Sequence, residues 1–347
     1  MFEYLLKTES SWEHIKLSSL PFALYGTGNG ADKVIKELAA YDLRPEYIIA
    51  SDSFVRDRSF YGIKVRSAAD LEAEIGDYNI LMCFASDRDE VISNVKNLMK
   101  RHCLLVPSVP VYGDHVFDKP FLKDNMDELE KAYSLLSDEK SKDIFKRIIE
   151  FQISGNPLLI FEAEESIDKL YEMLNLSGNE NYLDLGAYRG DTVDEFIHYA
   201  SVYASVTAIE PDKKNYAKLC EHCKNLRDFD ALNAVVSDKN GTVDFSQNKG
   251  RGSSSGEGFE SQSLSIDSLN KPFSYIKADI EGFESKMLKG AEESIKRYKP
   301  KMRIAVYHRS EDIFSLILQI HNIRDDYKFY LNHRKHTSFW DTDLICI

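Results

Sequence analysis

The chain has 347 residues, 43% of them hydrophobic and 29% charged, and its formal net charge is −13. This length favours two domains, and the composition is that of an ordinary globular protein. The acidic balance argues against a nucleic-acid partner, because neutralising phosphates needs a basic surface. The odd number of cysteines in a long chain fits a reducing compartment rather than a disulfide framework.

The first residues carry no sign of export. They have neither a basic n-region nor a long apolar stretch, and no run in the chain approaches the ~18 apolar residues of a membrane helix. We therefore expect a cytoplasmic protein without a membrane span.

Strand-like and helix-like segments alternate through residues 21–111. Four buried strands are predicted at "FALYG", "EYIIASD", "YNILMCFAS" and "LLVPSV", with helices between them. Alternation at this spacing is typical of βαβ units in a parallel sheet. The sequence thus predicts a doubly wound, Rossmann-like α/β domain over residues 1–118.

Residues 119–176 read as a helical connector. "NMDELEKAYSLLSDEKSKDIFKRIIEFQIS" predicts two helices, the second capped at Ser137-Asp138, and "ESIDKLYEMLNL" predicts a third.

Residues 177–347 repeat the alternation in the order β-α-β-α-β-β-α-β-α-β-β. A parallel series whose last two strands are joined directly usually ends in an antiparallel edge strand, which is the topology of the seven-stranded methyltransferase sheet. Within it, "DALNAVVSD" is predicted as one strand, Asn240-Gly241 as a tight turn into a hairpin strand "TVDFS", and "ESKMLKGAEESIKRY" as one helix. The low-complexity patch 249–258, "KGRGSSSGEG", is expected to be a flexible loop.

The glycine turn in "NYLDLGAYRGDTV" is predicted to favour a cationic ligand. Asp184 and Asp191 flank the turn, and two carboxylates there would repel a pyrophosphate. S-adenosylmethionine carries a sulfonium and an ammonium group and no phosphate, so its charges fit. Glu210 ends the next strand, where an acid can accept both ribose hydroxyls, and Ser237-Asp238 end the third, on the adenine side.

The segments "YLDLGAYRGDTVDEF", "AIEPDKKNYAKL", "AVVSDKNGTVDFS" and "YIKADIEGFESKMLKGAEESIKRYKPKMRIAVYH" together resemble the FkbM family of S-adenosylmethionine-dependent methyltransferases. The resemblance covers roughly residues 137–347. It implies a class I methyltransferase fold and, most often, O-methylation of sugars or sugar-bearing metabolites. On this basis Asp184, Gly186, Ala187 and Gly190 would line the methionine end, Glu210 would hold the ribose and Asp238 the adenine side. The full set of cofactor-binding residues that we predict also includes Tyr188, Thr192, Pro211, Ser237 and Asp279.

The catalytic end is predicted at the ends of the fourth and fifth strands. A sugar hydroxyl is a poor nucleophile, so a general base must take its proton during an in-line methyl transfer. His308 or Asp279 is the expected base, with Glu281 orienting the substrate or the base. Asp279 and Glu281 could instead hold a divalent ion with a third oxygen ligand, but no metal is expected because no further Asp-Asn pair is evident.

Two other motifs are candidates for substrate binding. Arg334 and His336, in "NHRKH", could meet the phosphates of a nucleotide sugar or form only a solvated turn. The helical "CEHC", with Cys220 and Cys223, lacks the further ligands that zinc needs.

The earlier turn "LYGTGNGADKV" has Gly26, Gly28 and Gly30 after a strand, no acid before them, and Asp52 at the end of the next strand. This domain resembles the small N-terminal Rossmann-like domains of some sugar acyltransferases, which bind a sugar nucleotide or act as scaffolds. A scaffold or substrate-presenting module, a nucleotide-sugar site and an NAD(P) site all remain open for it.

The leading interpretation is an S-adenosylmethionine-dependent O-methyltransferase that acts on a carbohydrate. The alternatives are a nucleotide-sugar-binding module with a vestigial methyltransferase half, and an NAD-dependent oxidoreductase. The expected partner is a small-molecule or glycan substrate, with no nucleic acid, and a homodimer is one open option.

Overall fold

The computed structural model describes residues 1–51, 54–55, 57–113, 115–245 and 259–347. Asp52 and the predicted loop 249–258 lie outside the described residues. In the part of the chain that is described, no helix is both long and apolar enough to cross a membrane.

The N-terminal part forms a six-stranded sheet in the order β3-β4-β2-β1-β5-β6. Its ladders are parallel except for β3–β4, which is antiparallel. The strands are β1 (Phe22–Tyr25), β2 (Tyr47–Ile49), β3 (Ser59–Phe60), β4 (Ile63–Arg66), β5 (Asn79–Met82) and β6 (Leu104–Leu105). The helices are α1 (Ser11–Leu17), α2 (Asn29–Ala40), α3 (Ala68–Ile75) and α4 (Asp89–Leu98). The four predicted strands are confirmed, whereas β3 and β4 were not predicted.

Helices alone fill the stretch that follows. They are α5 (Lys119–Asp124), α6 (Met126–Leu135), α7 (Glu139–Ser154), α8 (Pro157–Ala163) and α9 (Ile167–Leu174). The Asp138 carboxylate caps α7 by accepting a hydrogen bond of 2.8 Å from the Ser141 N–H. The helix ends at Gly155, whose φ of +67° suits a residue without a side chain.

The C-terminal part forms a seven-stranded sheet in the order β15-β16-β14-β13-β7-β8-β9, beside a three-stranded sheet β10-β12-β11. The strands are β7 (Asn181–Leu185), β8 (Ser205–Ile209), β9 (Phe229–Leu232), β10 (Val235–Val236), β11 (Gly241–Phe245), β12 (Phe259–Leu264), β13 (Tyr275–Ala278), β14 (Lys301–Ala305), β15 (Phe329–His333) and β16 (Thr342–Cys346). The helices are α10 (Asp191–Ala200), α11 (Lys213–Cys223), α12 (Glu284–Lys289), α13 (Glu292–Tyr298) and α14 (Asp312–Ile323). The predicted seven-stranded sheet with one antiparallel strand is confirmed. That strand, β16, lies between β14 and β15 and runs antiparallel to both, so the prediction that it would be the edge strand is wrong.

Three further local predictions in this part are wrong. The segment 230–238 is not one strand, because β9 joins the large sheet and β10 joins the small one. The hairpin at Asn240-Gly241 does not form, since β11 pairs with β12, and β12 also pairs in parallel with β10. The predicted helix 284–298 breaks at Gly290, which packs so closely on the Ser237 carbonyl that a Cβ would lie 2.2 Å from its oxygen.

A single apolar cluster connects the two large sheets through the helices between them. It includes Ile80 from β5, Phe145 from α7, and Leu183 and Ile304 from β7 and β14, all fully buried. Two backbone hydrogen bonds also join these parts of the chain. The Val106 N–H donates to the Gly155 carbonyl, and the Thr337 N–H donates to the Ser86 carbonyl. One apolar core therefore extends from the N-terminal sheet through the helices to the C-terminal sheet.

We expect Leu129→Ala in α6 to destabilise the protein by about 2–5 kcal/mol, because it removes a fully buried side chain and leaves a cavity. Leu158→Ala in α8 is the matched control, since that leucine is 46% exposed and its loss should cost below about 0.5 kcal/mol. Urea unfolding measures both, and equal effects would contradict the assigned core.

Candidate functional site

The candidate site lies where β7, β8 and β13 end at one edge of the large C-terminal sheet. The turn after β7 presses against the turn after β13, because Gly186 has a φ of +76° and a Cβ there would lie 1.9 Å from the Asp279 carbonyl oxygen. The N–H groups of Gly186 and Ala187 donate to the Ile209 carbonyl at 3.0 and 3.1 Å. Three strand ends are thus held together by backbone contacts.

Asp184 sits beneath this turn with no exposed surface and its charge compensated. Its carboxylate lies 3.3 Å from the Lys277 ammonium and accepts a hydrogen bond of 2.5 Å from the Thr192 hydroxyl. Burial by itself lowers the pKa of Lys277, but the carboxylates of Asp184 and Asp279 outweigh it and hold that pKa above its usual value. The sequence analysis treated Asp184 as an uncompensated negative charge and did not consider Lys277. In the sequence, Lys277 is visible only as a lysine inside an apolar strand.

Glu210 follows β8 and is also buried. Its carboxylate accepts hydrogen bonds of 2.9 Å from the N–H groups of Tyr188 and Asp212. Burial raises the pKa of Glu210 to about 7 in spite of these two bonds. The Asn233 side-chain amide donates hydrogen bonds to the backbone carbonyls of Glu210 and of the next residue, Pro211.

Ser237 and Asp238 follow β10 in the small sheet. The Ser237 hydroxyl donates to the Asp238 carboxylate at 3.0 Å, and this bond lowers the pKa of Asp238, which is exposed.

Gly190 begins α10 in a left-handed conformation, with a φ of +98°. A Cβ there would lie 2.9 Å from the His222 ring and 3.0 Å from the Cys223 sulfur. The "CEHC" segment therefore packs against the glycine turn through α11. All five cysteines of the chain are free thiols.

His308 stands between carboxylates beyond the end of β14. Its Nδ1 lies 2.9 Å from Glu284 Oε1, and its Nε2 lies 3.3 Å from Asp279 Oδ1 and 3.7 Å from Glu281 Oε2. Burial alone lowers the pKa of His308, but the surrounding carboxylates, Glu284 first, raise it to about 10. At neutral pH and without a ligand, the ring is therefore a cation, in contrast to the free base that its strand-end position suggested.

Asp279 is a partly exposed carboxylate of this group that also accepts a hydrogen bond from within the protein. Its side chain is 39% exposed, and the Tyr307 hydroxyl donates to it at 3.2 to 3.3 Å. Burial raises the pKa of Asp279, and the charges of Lys277 and His308 outweigh this and lower it. Sequence reasoning found Asp279 and His308 but missed Tyr307, which directly precedes the histidine.

The turn that follows Asp279 is shaped for close packing. Glu281 and Gly282 have φ values of +55° and +91°, and a Cβ at Gly282 would lie 2.8 Å from the ring of Tyr112. The Tyr112 N–H donates to the His308 carbonyl at 2.8 Å. A segment from the N-terminal part of the chain therefore covers the predicted catalytic end of the C-terminal sheet.

A cavity of about 460 Å³ lies between the two large sheets at this place. The C-terminal side contributes Asp279, Glu281, Tyr307 and His308, and the N-terminal side contributes the turn before α2. Its lining residues include Gly28, Asn29, Gly30, Lys33, Phe84, Phe151, Phe339, Trp340 and Asp341. The structure thus brings the first glycine turn and the predicted catalytic end to one compartment.

The glycines of that first turn differ in their surroundings. Gly30 packs on the Cys83 carbonyl, 2.0 Å from where a Cβ would lie, and Gly26, with a φ of +116°, packs on Phe84. Gly28 has open space around its Cβ position. Gly28 and Gly30 line the cavity.

Arg334 and His336 lie in the loop between β15 and β16. Arg334 is 3.4 Å from Asp341, and His336 is buried beside the Trp340 ring. The same loop contacts the segment after β5, where the Ser86 N–H donates to the Thr337 hydroxyl at 2.9 Å. Its position indicates a contact between the two halves of the chain rather than an open phosphate site.

Part of the chain matches a known protein family. Residues 184–331 match the family model described as the methyltransferase FkbM domain. No curated protein matches the chain.

The fold is similar to that of the methyltransferase FkbM from Methylobacillus flagellatus KT, with a TM-score of 0.69 and 21% identity over 95% of this chain and 90% of that one. Fibrillarin from Aeropyrum pernix was solved with natively bound S-adenosyl-L-methionine. Its comparison with this chain has a TM-score of 0.33 and 10% identity over 52% of this chain and 74% of that one. The comparison with an rRNA methylase from Streptococcus thermophilus has a TM-score of 0.34 and 13% identity over 53% of this chain and 95% of that one. The first of these likenesses extends over nearly the whole chain and supports its two-sheet α/β fold.

We expect Lys277→Met to destabilise the protein by about 3–5 kcal/mol, because it leaves the buried Asp184 carboxylate without its partner. Lys271→Met is the matched control, since Lys271 pairs with Asp230 at 3.1 Å on the surface and should contribute below about 1 kcal/mol. Both are measured by denaturant unfolding at pH 7. Equal stabilities of the two variants would show that Asp184 does not depend on Lys277.

Proposed function

We propose that this chain, a methyltransferase whose residues 184–331 form an FkbM-family domain, methylates a carbohydrate hydroxyl with S-adenosylmethionine as donor. The acceptor that we propose is a nucleotide sugar or a precursor of a capsule or other surface glycan. Free thiols at all five cysteines and the proposed substrates favour a cytoplasmic location.

The observation that carries this proposal is the cavity between the sheets. Two carboxylates, Asp279 and Glu281, and the aromatic rings of Tyr307, Phe339 and Trp340 line it together. Carboxylates accept hydrogen bonds from sugar hydroxyls, and aromatic faces pack on the apolar faces of sugar rings. Its volume of about 460 Å³ is that of a small-ligand site.

The residues around the β7 turn fit the proposed donor. The Glu210 carboxylate is positioned by two backbone N–H groups and can accept hydrogen bonds from ribose hydroxyls. Asp238 and Asp279 follow strands β10 and β13 and supply acceptors for amino groups. The full set proposed to hold the cofactor is Asp184, Gly186, Ala187, Tyr188, Gly190, Thr192, Glu210, Pro211, Ser237, Asp238 and Asp279. Since Lys277 neutralises Asp184, the attraction for a cationic donor comes from Glu210 and Asp279 rather than from Asp184.

S-adenosylmethionine would supply an electrophilic methyl group. In our proposal an oxygen–carbon bond forms as the carbon–sulfur bond breaks, in line, and the hydroxyl proton passes to Asp279. We assign the proton to Asp279 because its side chain is partly exposed at the cavity, whereas both ring nitrogens of His308 already face carboxylates. Glu281 orients the acceptor, and His308 positions Asp279.

The N-terminal sheet is proposed to present the acceptor. Gly28 and Gly30 line the same cavity as Asp279, and the Lys33 ammonium is fixed there by hydrogen bonds of 2.7 Å to the carbonyls of Pro110 and Val111. This arrangement favours a substrate-presenting module over a separate NAD(P) site.

We expect nucleotide sugars incubated with isotope-labelled S-adenosylmethionine to gain one labelled methyl group, detected by mass spectrometry. Asp279→Asn should lower kcat by roughly 10²–10⁴-fold because no carboxylate then takes the proton. Asp230→Asn, on the surface beside Lys271, is the control and should not change kcat. Methylation of none of the sugars, or full activity of Asp279→Asn, would contradict the proposal.

Cofactor affinity should depend on pH through Glu210. Its pKa is about 7 in the free protein, and ribose hydroxyls donate to the ionised form, so binding lowers that pKa and strengthens as pH rises. Calorimetric affinity for S-adenosylmethionine should rise by about tenfold per pH unit below 7 and level off above it.

Glu210→Gln should bind weakly and lose this pH dependence, whereas Glu221→Gln, on the exposed face of α11, should behave like the unchanged protein. A flat pH profile for the unchanged protein would exclude Glu210 as the ribose ligand, and no binding at any pH would exclude the cofactor.

A further inference from the structure

We propose that His308, Asp279 and Glu281 bind a divalent metal ion at the cavity wall, with Glu284 orienting the histidine. Sequence reasoning placed only two oxygen ligands here and expected no metal. The fold adds an imidazole nitrogen that comes from a different strand end, twenty-nine residues after Asp279.

One of the two separations from His308 Nε2 matches the spacing of ligand atoms in a coordination shell, and the other is slightly longer. His308 Nε2 lies 3.3 Å from Asp279 Oδ1 and 3.7 Å from Glu281 Oε2. When each ligand is about 2.1 Å from an ion, neighbouring ligand atoms in an octahedral or tetrahedral shell lie about 3.0–3.4 Å apart. Both separations are longer than the 2.7–2.9 Å typical of a charge-assisted hydrogen bond. A small closure of the Glu281 side chain, which is 62% exposed, would complete one face of the shell.

Glu284 supplies the outer partner that a metal-bound histidine usually has. Its Oε1 lies 2.9 Å from His308 Nδ1, and neither side chain has more than 2% exposure. The Ile280 N–H also donates to Oε1 at 3.0 Å, which fixes the carboxylate. Donation from Nδ1–H to Glu284 would leave the Nε2 lone pair for the ion once the ion displaces the Nε2 proton, as in a carboxylate–histidine–metal arrangement.

The charge of the group suits a cation. Asp279, Glu284 and His308 offer ligand atoms within 4.8 Å of one another, and Glu281 and Asp341 add carboxylates to the same cavity wall. One imidazole nitrogen with two carboxylate oxygens favours Mn²⁺, Fe²⁺ or Zn²⁺ over Mg²⁺, since imidazole is a softer ligand than oxygen. With three protein ligands on one side, the remaining positions face the cavity.

Those open positions indicate the class of acceptor. This step rests on the proposed function: a sugar with two neighbouring hydroxyls could place both oxygens on the ion, which would fix the reacting oxygen and ease loss of its proton. The second oxygen of Asp279, which lies 3.2 Å from the Tyr307 hydroxyl, would then take the proton. We infer a vicinal diol as the substrate group.

Metal binding is tested on the full chain without cofactor or sugar. After removal of metal with a chelator, titration with MnCl₂ followed by electron paramagnetic resonance should show one bound Mn²⁺ per chain. Glu281→Gln and His308→Gln should weaken binding by at least tenfold. Glu281 is largely exposed, so its variant tests the ligand without disturbing the core.

His222→Gln is the matched control, because His222 also lies 2.7 Å from a carboxylate, that of Asp194, but on the surface. It should bind Mn²⁺ like the unchanged protein. Absence of binding of Mn²⁺, Zn²⁺ and Mg²⁺ at millimolar concentration, or unchanged binding by Glu281→Gln, would overturn the site.

Failure of the metal site and failure of the proposed function give different experimental results. A chain that binds one Mn²⁺ at these residues but methylates no sugar supports the site and contradicts the function. Methyl transfer to a sugar that continues at the same rate in excess chelator supports the function and overturns the metal's role.

Discussion

Buried charges at the centre of the C-terminal sheet are the constraint on which the site depends. Lys277 of β13 stands in register between Asp184 of β7 and Arg303 of β14, and all three side chains are buried. Arg303 is neutralised by Asp343 at 2.8 Å and by Glu195 at 2.5 Å. A slip of one residue would move these charges to the other face of the sheet, where they would have no partner. The charged row thus fixes which strand ends meet.

That register brings two turns into van der Waals contact. Because Asp184 and Lys277 are opposite each other, the turn after β7 meets the turn after β13, and Gly186 rests on the Asp279 backbone. Asp279 belongs to both regions: its carbonyl touches the turn proposed to hold the cofactor, and its carboxylate faces the cavity proposed to hold the acceptor. A methyl transfer needs its two substrates in contact, and this residue marks where they would meet.

The N-terminal sheet completes the compartment. Tyr112 covers Gly282, and the loop between β15 and β16 reaches Ser86, so each half of the chain closes the cavity of the other. The apolar cluster that runs through the intervening helices holds the halves in place. Both Rossmann-like parts of the chain therefore line one cavity, although each carries its own glycine turn.

Hydrophobic alternation and turn chemistry are local, and they were sufficient for the alternation of strands and helices, the seven-stranded sheet, the Asp138 cap and the acids at the strand ends. Long-range contacts decided the rest. Only the folded chain shows that Lys277 neutralises Asp184, that β12 lies between β10 and β11, and that Gly28 and Asp279 line the same cavity. The physical reason is that strand pairing, charge compensation and cavity walls join residues far apart in sequence, so no window of the chain contains both partners.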